Sequence, residues 1–359
     1  MIDALLASAI DLTERGLIPD RVVRLGIQQM CRQRLRVEMR DVTDQPGRRA
    51  ALRRDMDTSP IALVPDAANA QHYEAPVELF ERALGPQLKY SCGYWPQGVT
   101  TLAQAEEAAL EETASHALLA DGQEVLELGC GWGSLTLWMA RRYPSSRILA
   151  VSNSHRQRAF ILERAASRGL SNVEVVTADM NDFSTERRFD RIVSVEMFEH
   201  MRNYRALLQR ISGWMRPDAK LFIHIFCHRS LAYPYATEGR GDWMGRHFFT
   251  GGLMPSESLL LDFNTDVHVV QQWRWDGTHY QKTANAWLAN LDAARDDLMD
   301  VFVRHYGQRD AERWFHRWRL FFMACAELWA YRQGREWCVA HYLLEPGPAH
   351  AGRPPQVAM

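Results

Sequence analysis

The sequence has 359 residues, a hydrophobic fraction of 47%, a net charge of -2 and a pI near 6.7. This length and composition suffice for a large core in one or two domains, and the small net charge argues against a general nucleic-acid binder. The six cysteines include no C-x-x-C pair, which argues against a zinc knuckle. There is no basic leader, and no apolar run approaches the roughly 20 residues that a membrane span needs. We therefore expect a cytoplasmic protein with free thiols that does not cross a membrane.

The first 75 residues have the spacing of apolar side chains that predicts helices, over Ile2–Ile10 and again over residues 20–40. Residues 60–75 lack this periodicity and are predicted to form a linker or an irregular loop. The stretch between them contains four arginines: Arg48, Arg49, Arg53 and Arg54. Such a run is usually a solvated helix face, and contact with phosphate or lipid is the alternative interpretation.

From residue 123 the sequence alternates between short β-branched runs and helical stretches. The predicted strands cover residues 123–128, 147–152, 173–178, 190–195 and 220–226. The predicted helices end near Tyr143 in the first case and cover residues 157–168 and 204–215 in the others. Nearly continuous apolar strands separated by helices are typical of a parallel sheet that is covered on both faces. The pattern predicts a doubly wound α/β fold, which binds its ligand at the carboxyl ends of the strands.

After Phe226 this alternation breaks down. Residues 227–265 show little periodicity, and residues 267–273 are predicted to form another strand. Two long helical stretches follow, at about 282–305 and 309–332, before a last predicted strand at 336–344. The Pro- and Gly-rich tail is expected to be disordered.

A glycine-rich turn follows the first predicted strand and opens a helix. Its sequence is Glu127-Leu-Gly129-Cys-Gly131-Trp-Gly133, and glycine allows the backbone to approach a ligand without a clashing Cβ atom. The dinucleotide pattern G-x-G-x-x-G would require glycine at position 134, where the sequence has Ser134. The alternative is that the glycines only permit tight packing of the strand on the helix.

The residues after the second and third strands help to choose the ligand. A dinucleotide site needs an acidic residue at the end of the second strand, and Asn153 and Gln157 follow that strand instead. S-adenosylmethionine (SAM) has no pyrophosphate, so its turn need only accommodate the methionine portion and the ribose. Asp179 and Met180 follow the third strand, where they would contact an adenine amine and ring face. A simple loop acid is the alternative for Asp179.

Two acids and a histidine follow the fourth predicted strand, at the expected ligand edge of the sheet. If the segment is helical, Glu196, Glu199 and His200 have the three- and four-residue spacing that places side chains on one face. Such a group can bind a cationic amine and accept its proton. Alternatively, the cluster caps the next helix and pairs with Arg202 or Arg205.

Several longer strings identify a family. They are YSCGYW (90–95), LELGCGWGSL (126–135), SNS (152–154), EMFEHMRNY (196–204), FCH (226–228), DWM (242–244), FFTGGLMPS (248–256), HYQKT (279–283) and EWCVAHYLL (336–344). They resemble the coclaurine N-methyltransferase family, which belongs with the cyclopropane fatty acid synthases to one superfamily of SAM-dependent enzymes. The resemblance runs from about Lys89 to Leu344.

This resemblance implies a class I SAM-dependent methyltransferase with a Rossmann-like sheet and a helical lid before the last strand. We expect an N-terminal helical region at 1–88, a catalytic domain at 89–345 with insertions at about 227–265 and 276–334, and a tail at 346–359. The implied donor is SAM, the product S-adenosylhomocysteine, and no metal is implied. The implied acceptor is a small aromatic amine of the tetrahydroisoquinoline or phenethylamine type. A homodimer is left open.

The resemblance also implies site residues. Those expected to bind SAM are Tyr90, Ser91, Gly129, Gly131, Asn153, Gln157, Asp179, Met180 and Val195. Glu196, Glu199 and His200 would face the methyl group and the amine. The acceptor pocket is predicted to include His224, Phe249, Tyr280, Phe322 and Trp329. Methyl transfer is an in-line displacement, so the enzyme must align the nucleophile with the donor and take up the amine proton.

Three alternatives remain at this point. The synthases of the superfamily use bicarbonate as a base, and the set implied for it is present as Cys92, Glu199, His224 and Tyr280, so cyclopropane synthesis or lipid methylation is the first alternative. Phe226 and Gly93 depart from the synthase pattern, and Cys325 is expected to be a packing residue. A nicotinamide oxidoreductase is the second alternative, and a non-catalytic binding protein is the third.

Overall fold

The computed structural model describes residues 2–40, 45–64, 75–239 and 241–347. The α-helices are α1 (Ile2–Glu14), α2 (Asp20–Glu38), α3 (Gln45–Thr58), α4 (Val77–Ala83), α5 (Leu102–His116), α6 (Ser134–Arg142), α7 (His155–Ser167), α8 (Tyr204–Trp214), α9 (Trp243–His247), α10 (Gly277–Ala293), α11 (Arg295–Tyr306) and α12 (Ala311–Ala330). The single helix predicted at 282–305 is in fact two helices, α10 and α11. The structure breaks it at Ala294, because the backbone turns there between α10 and α11.

The strands are β1 (Glu124–Leu128), β2 (Arg147–Ser152), β3 (Val173–Thr177), β4 (Phe189–Val195), β5 (Met215–His228), β6 (Tyr233–Pro234), β7 (Leu253–Met254), β8 (Val267–Asp276) and β9 (Trp337–Pro346). Seven of them form one sheet in the order β3-β2-β1-β4-β5-β9-β8, and β6 pairs with β7 separately. The strand order reverses beside β1, between β1 and β4. A doubly wound sheet binds its ligand at this position, at the carboxyl ends of the strands.

The predicted doubly wound α/β fold is confirmed, and so is the parallel pairing predicted for the five strands between residues 123 and 226. β1 to β5 pair in parallel, whereas β9 is antiparallel to both β5 and β8. Strand direction depends on the route of the connecting segments, and the composition of a strand does not encode that route. β9 is buried along most of its length and therefore has the apolar composition of a central parallel strand.

The N-terminal helices pack against the late helices and not against the sheet alone. Arg24 of α2 lies 2.7 Å from Glu327 of α12, and Glu14 of α1 accepts a hydrogen bond of 2.8 Å from the Trp243 indole. Glu14 is 4% exposed and also pairs with Arg317. Burial opposes ionisation of Glu14, but the Arg317 and Trp243 hydrogen bonds lower its pKa overall. These contacts join the two ends of the chain into one helical layer.

Arg48, one of the four N-terminal arginines that offered a possible lipid contact, pairs with Glu38, and two others have partners in the segment that precedes β8. Arg49 of α3 forms a two-pronged hydrogen bond with Asp262, at 2.7 and 2.8 Å, and also donates to the Ser258 carbonyl. Arg53 lies over the Phe263 ring at 5.9 Å. Both arginines therefore help to attach α3 to the segment that precedes β8.

Further sequence predictions concern membrane spans, cysteines, the linker and the tail. Within the described ranges, no helix is long and apolar enough to span a membrane. All six cysteines are free thiols. Residues 348–359 of the predicted tail lie outside the described residues. Most of the predicted linker, residues 65–74, also lies outside them. The domain boundaries remain predictions.

Candidate active site

Backbone hydrogen bonds fix the conformation of the glycine turn after β1. The amides of Gly129 and Cys130 both donate to the Val151 carbonyl at 3.0 Å, which ties the turn to the end of β2. Gly129 has a φ of +80°, and a Cβ atom there would lie 2.9 Å from the Cβ of Met197. Gly131 has a φ of +52°. The turn therefore needs glycine both for its conformation and for the close approach of the next loop.

A cleft opens at this turn, at the carboxyl edge of the parallel strands. Its lining includes seven of the predicted site residues: Gly129, Gly131, Asn153, Gln157, Asp179, Met180 and His200. The Gln157 side chain is 1% exposed, and its oxygen accepts from Ser152 at 2.7 Å. Its amide nitrogen has no hydrogen-bond partner among the described residues. A buried donor without a partner beside a cleft is a position for a ligand oxygen.

The N-terminal segment closes one side of the cleft, which the sequence did not indicate. Ala62 and Val64 line it. Ala62 exchanges two hydrogen bonds of 3.0 Å with the Asn181 side chain and forms a β-bridge with Met201. These contacts join residues more than 100 positions apart, so no local pattern could have revealed them.

Glu196 is the centre of the polar network beyond the cleft. Its carboxylate receives hydrogen bonds from the Cys92 amide at 2.9 Å and the Tyr280 hydroxyl at 2.7 Å, and it lies 3.2 Å from the His224 ring nitrogen. Its φ is +49°, a conformation that L-residues rarely adopt. The structure thus brings together Glu196, Tyr280 and His224 of the predicted residues, and adds the Cys92 backbone.

Burial shifts the pKa values of the two ionisable groups Glu196 and Lys89 in this network. The Glu196 side chain is 8% exposed, and burial raises its pKa, although the nearby Lys89 ammonium opposes the shift. Lys89 is 3% exposed and donates to the Ser91 hydroxyl and the Cys92 carbonyl, while burial lowers its pKa. Lys89 was missed as a site residue, because a lysine next to the YSCGYW string gives no sequence signal of burial.

Glu199 and His200 do not share a helical face with Glu196. A short 3₁₀ turn, Phe198–His200, follows the left-handed Glu196, so the segment is not a continuous helix from Glu196 to His200. Glu199 is fully buried, and its carboxyl accepts from the Phe226 amide at 2.6 Å. Burial, reinforced by the Glu196 charge, raises its pKa well above the usual range. Glu199 is therefore a neutral acid and not part of an anionic pair.

His200 lines the cleft and stacks on Phe249, with ring centroids 5.2 Å apart. Burial lowers the pKa of His200 to about 4. The ring is therefore neutral at physiological pH and retains a nitrogen lone pair.

An aromatic wall extends from Glu196 and His200. Tyr280 stacks on Trp329 at 4.8 Å, and Phe226 packs edge-on against both Trp329 and Phe249. The structure thus joins three of the predicted pocket residues, Phe249, Tyr280 and Trp329, into one surface. Phe226 belongs to it as well. In the sequence it appeared only as a departure from the synthase pattern.

The other predicted residues lie further back. Tyr90 packs against Phe80 and Trp287, and Val195 is the last residue of β4, paired in register with His224. Phe322 is 1% exposed and packs against Trp287 and Trp318.

The helical Cys325 is a protonated thiol, since burial raises its pKa. This agrees with the expectation of a packing role for this residue. In the described ranges no cluster of three or more His, Cys, Asp or Glu side chains could hold a metal ion.

Glu127, next to the glycine turn, gives a pH-dependent prediction. It is 3% exposed, and burial raises its pKa to about 8 despite a hydrogen bond from Thr136. The folded state then binds more protons than the unfolded state between the usual value of 4.5 and about 8, so its contribution to stability falls as pH rises through that window. Glu127→Gln removes this loss. We expect its melting temperature relative to wild type to increase from pH 5 to pH 8 in thermal unfolding without ligand, and a constant difference would contradict the assignment.

The strand order, the glycine turn and the cleft at the carboxyl edge together define a class I SAM-dependent methyltransferase. The chain belongs to the family described as mycolic acid cyclopropane synthetase, whose model matches residues 64–338.

Within this family, the chain is similar to N-methyltransferases. The (S)-coclaurine N-methyltransferase of Thalictrum flavum subsp. glaucum is 37% identical over 95% of this chain and 96% of its own length. The pavine N-methyltransferase of the same plant is 31% identical over 95% and 97%.

A crystal structure of coclaurine N-methyltransferase bound to N-methylheliamine and S-adenosylhomocysteine superposes with a TM-score of 0.91, at 35% identity over 94% of this chain and 99% of that one. These likenesses confirm, at the level of the family, the predicted SAM-dependent N-methyltransferase and its SAM cofactor.

Proposed function

We propose that this enzyme transfers a methyl group from SAM to the nitrogen of a small aromatic amine of the tetrahydroisoquinoline or phenethylamine type. The observation that carries the proposal is the Glu196 carboxylate, held by three groups and placed next to the aromatic wall. An anionic group beside aromatic faces suits a flat cation. The related coclaurine and pavine N-methyltransferases, and the N-methylheliamine bound in the related crystal structure, support the same class of acceptor.

The residues of the cleft fit SAM. The glycine turn would accommodate the methionine portion, and the unpartnered Gln157 amide with Asn153 would hold the ribose hydroxyls. Asp179 and Met180 would contact the adenine, and Ala62 would cover it from the N-terminal side. SAM supplies a methyl group already activated by a sulfonium. The protein must align the acceptor with that methyl group and exclude water, which can lower the barrier by roughly 7–11 kcal/mol.

Glu196 is the group best suited to take the amine proton. An alkylamine is mostly protonated at neutral pH and must lose that proton to expose its lone pair. A carboxyl group whose pKa burial has raised is a stronger base than an exposed one. In this proposal the neutral His200 accepts a hydrogen bond from the amine and orients it, and the sealed Glu199 supports the Phe226 backbone.

The lipid-modifying alternative is disfavoured by the same contacts. Of the set that the resemblance assigns to bicarbonate, Cys92, His224 and Tyr280 all bind the Glu196 carboxylate in this protein. A side-chain carboxylate therefore satisfies the groups that would otherwise bind a free anion. We infer that the base is the Glu196 side chain itself and that the enzyme needs no bicarbonate.

The test is an assay of S-adenosylhomocysteine release against a panel of secondary and primary aromatic amines, with unsaturated phospholipid vesicles in parallel and mass spectrometry of the products. We expect an amine heavier by one methyl group, at a rate unchanged when bicarbonate is removed. A methylene group added to an acyl chain would replace this proposal with the synthase alternative. The cytoplasmic location and the homodimer remain predictions.

A further inference from the structure

A line of three buried histidines runs from the candidate active site across one face of the sheet toward the protein surface. His224 on β5 and His341 on β9 are direct cross-strand partners, and His116 ends helix α5, which covers the same face. We call these three residues the histidine column. They are 0%, 1% and 8% exposed, respectively.

The column forms an unbroken chain of hydrogen bonds between two carboxyl groups. Glu196 lies 3.2 Å from His224, His224 lies 2.9 Å from His341, and His341 lies 2.8 Å from His116. The far ring nitrogen of His116 is 3.1 Å from Glu112, whose side chain is 35% exposed. Each imidazole uses one ring nitrogen on each side, so every link joins a donor to an acceptor when one of the two carboxyl groups carries a proton.

The rings around the column hold it in place. Trp273 stacks on His116 with centroids 3.8 Å apart, and Trp275 packs edge-on against His341 at 4.3 Å. Burial lowers the pKa of His116 to about 4 and holds the pKa values of His224 and His341 well below the usual range, with Lys89 adding to the effect on both. All three rings are therefore neutral, each with one donor and one acceptor nitrogen. A proton relay requires this state.

We propose that the histidine column carries the proton that the amine gives up from Glu196 to Glu112 and so to water. This inference rests on the proposed N-methylation. SAM and an ammonium substrate yield S-adenosylhomocysteine, an N-methylated ammonium product and one proton, which must leave the site. Glu112 is not among the residues that line the SAM cleft, so the exit is separate from it.

The steps balance in protons. Glu196 takes the amine proton and passes it to the facing nitrogen of His224, which releases its other proton to His341. His341 in turn releases a proton to His116, and His116 releases one to Glu112, which gives it to water. Glu196 is again a carboxylate, and each imidazole holds its single proton on the opposite nitrogen. Each imidazole must therefore return to its starting tautomer before the next outward passage.

The test is buffer rescue of the column. His116→Ala removes the outermost ring and opens the column to small molecules from solvent. We expect it to lower kcat by roughly 10- to 100-fold, with KM for the amine and affinity for S-adenosylhomocysteine unchanged. Added imidazole should restore kcat in proportion to its neutral fraction, an effect that a merely structural role would not produce. His341→Phe should lose a similar factor without rescue, since its position is sealed.

Two further variants keep the test decisive. Glu112→Gln replaces the exit group at the surface and should lower kcat by a few-fold, more at low buffer concentration. His228→Asn is the matched control, because His228 is 1% exposed but hydrogen-bonds with the Ser230 and Leu231 amides outside the column. It should keep the wild-type buffer dependence.

The outcomes are separable. Wild-type kcat in His116→Ala, or a loss that imidazole does not repair, would overturn the relay while leaving the methyltransferase proposal intact. A wild-type enzyme that methylates no amine would instead overturn the function on which the relay depends. The charged groups that face the column are Glu196 and Lys89 at its inner end and Glu112 at its outer end. The pH dependence of kcat in His116→Ala and His341→Phe should therefore be compared with that of wild type, since all three groups are unchanged in these variants.

Discussion

Glu196→Gln should reduce turnover by roughly 100- to 10,000-fold, the range expected when a general base is removed. The amide keeps the size of the side chain, and its oxygen can still accept from the Cys92 backbone. It cannot take a proton from the amine, and it removes the negative charge that would bind a cation. Affinity for SAM should change little, because Glu196 lies beyond the cleft that Gln157 and Asp179 line.

The measurement is single-turnover methyl transfer combined with calorimetric binding of S-adenosylhomocysteine. Glu174→Gln is a suitable control, since the side chain of Glu174 is 60% exposed and pairs only with Arg187 among the described residues. An equal loss of cofactor affinity in Glu196→Gln would show that the residue shapes the SAM site and would contradict its role as a base.

Gly129→Ala should weaken SAM binding about tenfold or more, which corresponds to about 1.4 kcal/mol. The φ of +80° costs an L-residue roughly 1–2 kcal/mol, and the added Cβ would lie 2.9 Å from the Cβ of Met197. Relief of that contact moves the loop that leads to Glu199 and His200. We therefore expect a lower melting temperature without ligand as well as a weaker cofactor complex.

Gly213→Ala is the matched control for this change. Gly213 lies in helix α8, and a Cβ atom there would meet nothing within 4 Å. Alanine in a helix is favoured over glycine by roughly 1 kcal/mol, so this variant should be as stable as wild type or more so. SAM titration and thermal unfolding of the two variants compare them directly. Wild-type affinity in Gly129→Ala would show that the turn tolerates a side chain.

The two proposals together assign the Glu196 carboxylate two functions, as the base and as the inner end of the histidine column. On one side it is hydrogen-bonded to Tyr280 of the aromatic wall, and on the other it is hydrogen-bonded to His224. A buried carboxylate without such partners would remain protonated and could not accept another proton. The donors around Glu196 favour its charged form, which the proposed base requires.

The sequence by itself determined the parts of this protein that depend on local pattern. The runs of β-branched residues predicted β1 to β5 to within a few residues, except that β5 extends further at its N-terminal end, because side-chain spacing directly reflects strand and helix geometry. The glycine turn predicted the cleft, since only glycine adopts the φ of Gly129 without strain. Seven predicted site residues line that cleft because parallel strands bring their carboxyl ends to one edge.

Only the tertiary structure decided which groups surround Glu196 in the candidate active site. Glu196 finds its partners in Cys92, His224 and Tyr280, and the column joins His116 to His341 across 225 residues. The antiparallel direction of β9 places His341 opposite His224, and a parallel β9 would have a different register.

Burial, and with it the neutral state of Glu199 and the lowered pKa of His200, also follows from packing. Local spacing encodes which face of an element is apolar. The contacts between distant elements, and the desolvation that changes their charges, are determined when the whole chain folds.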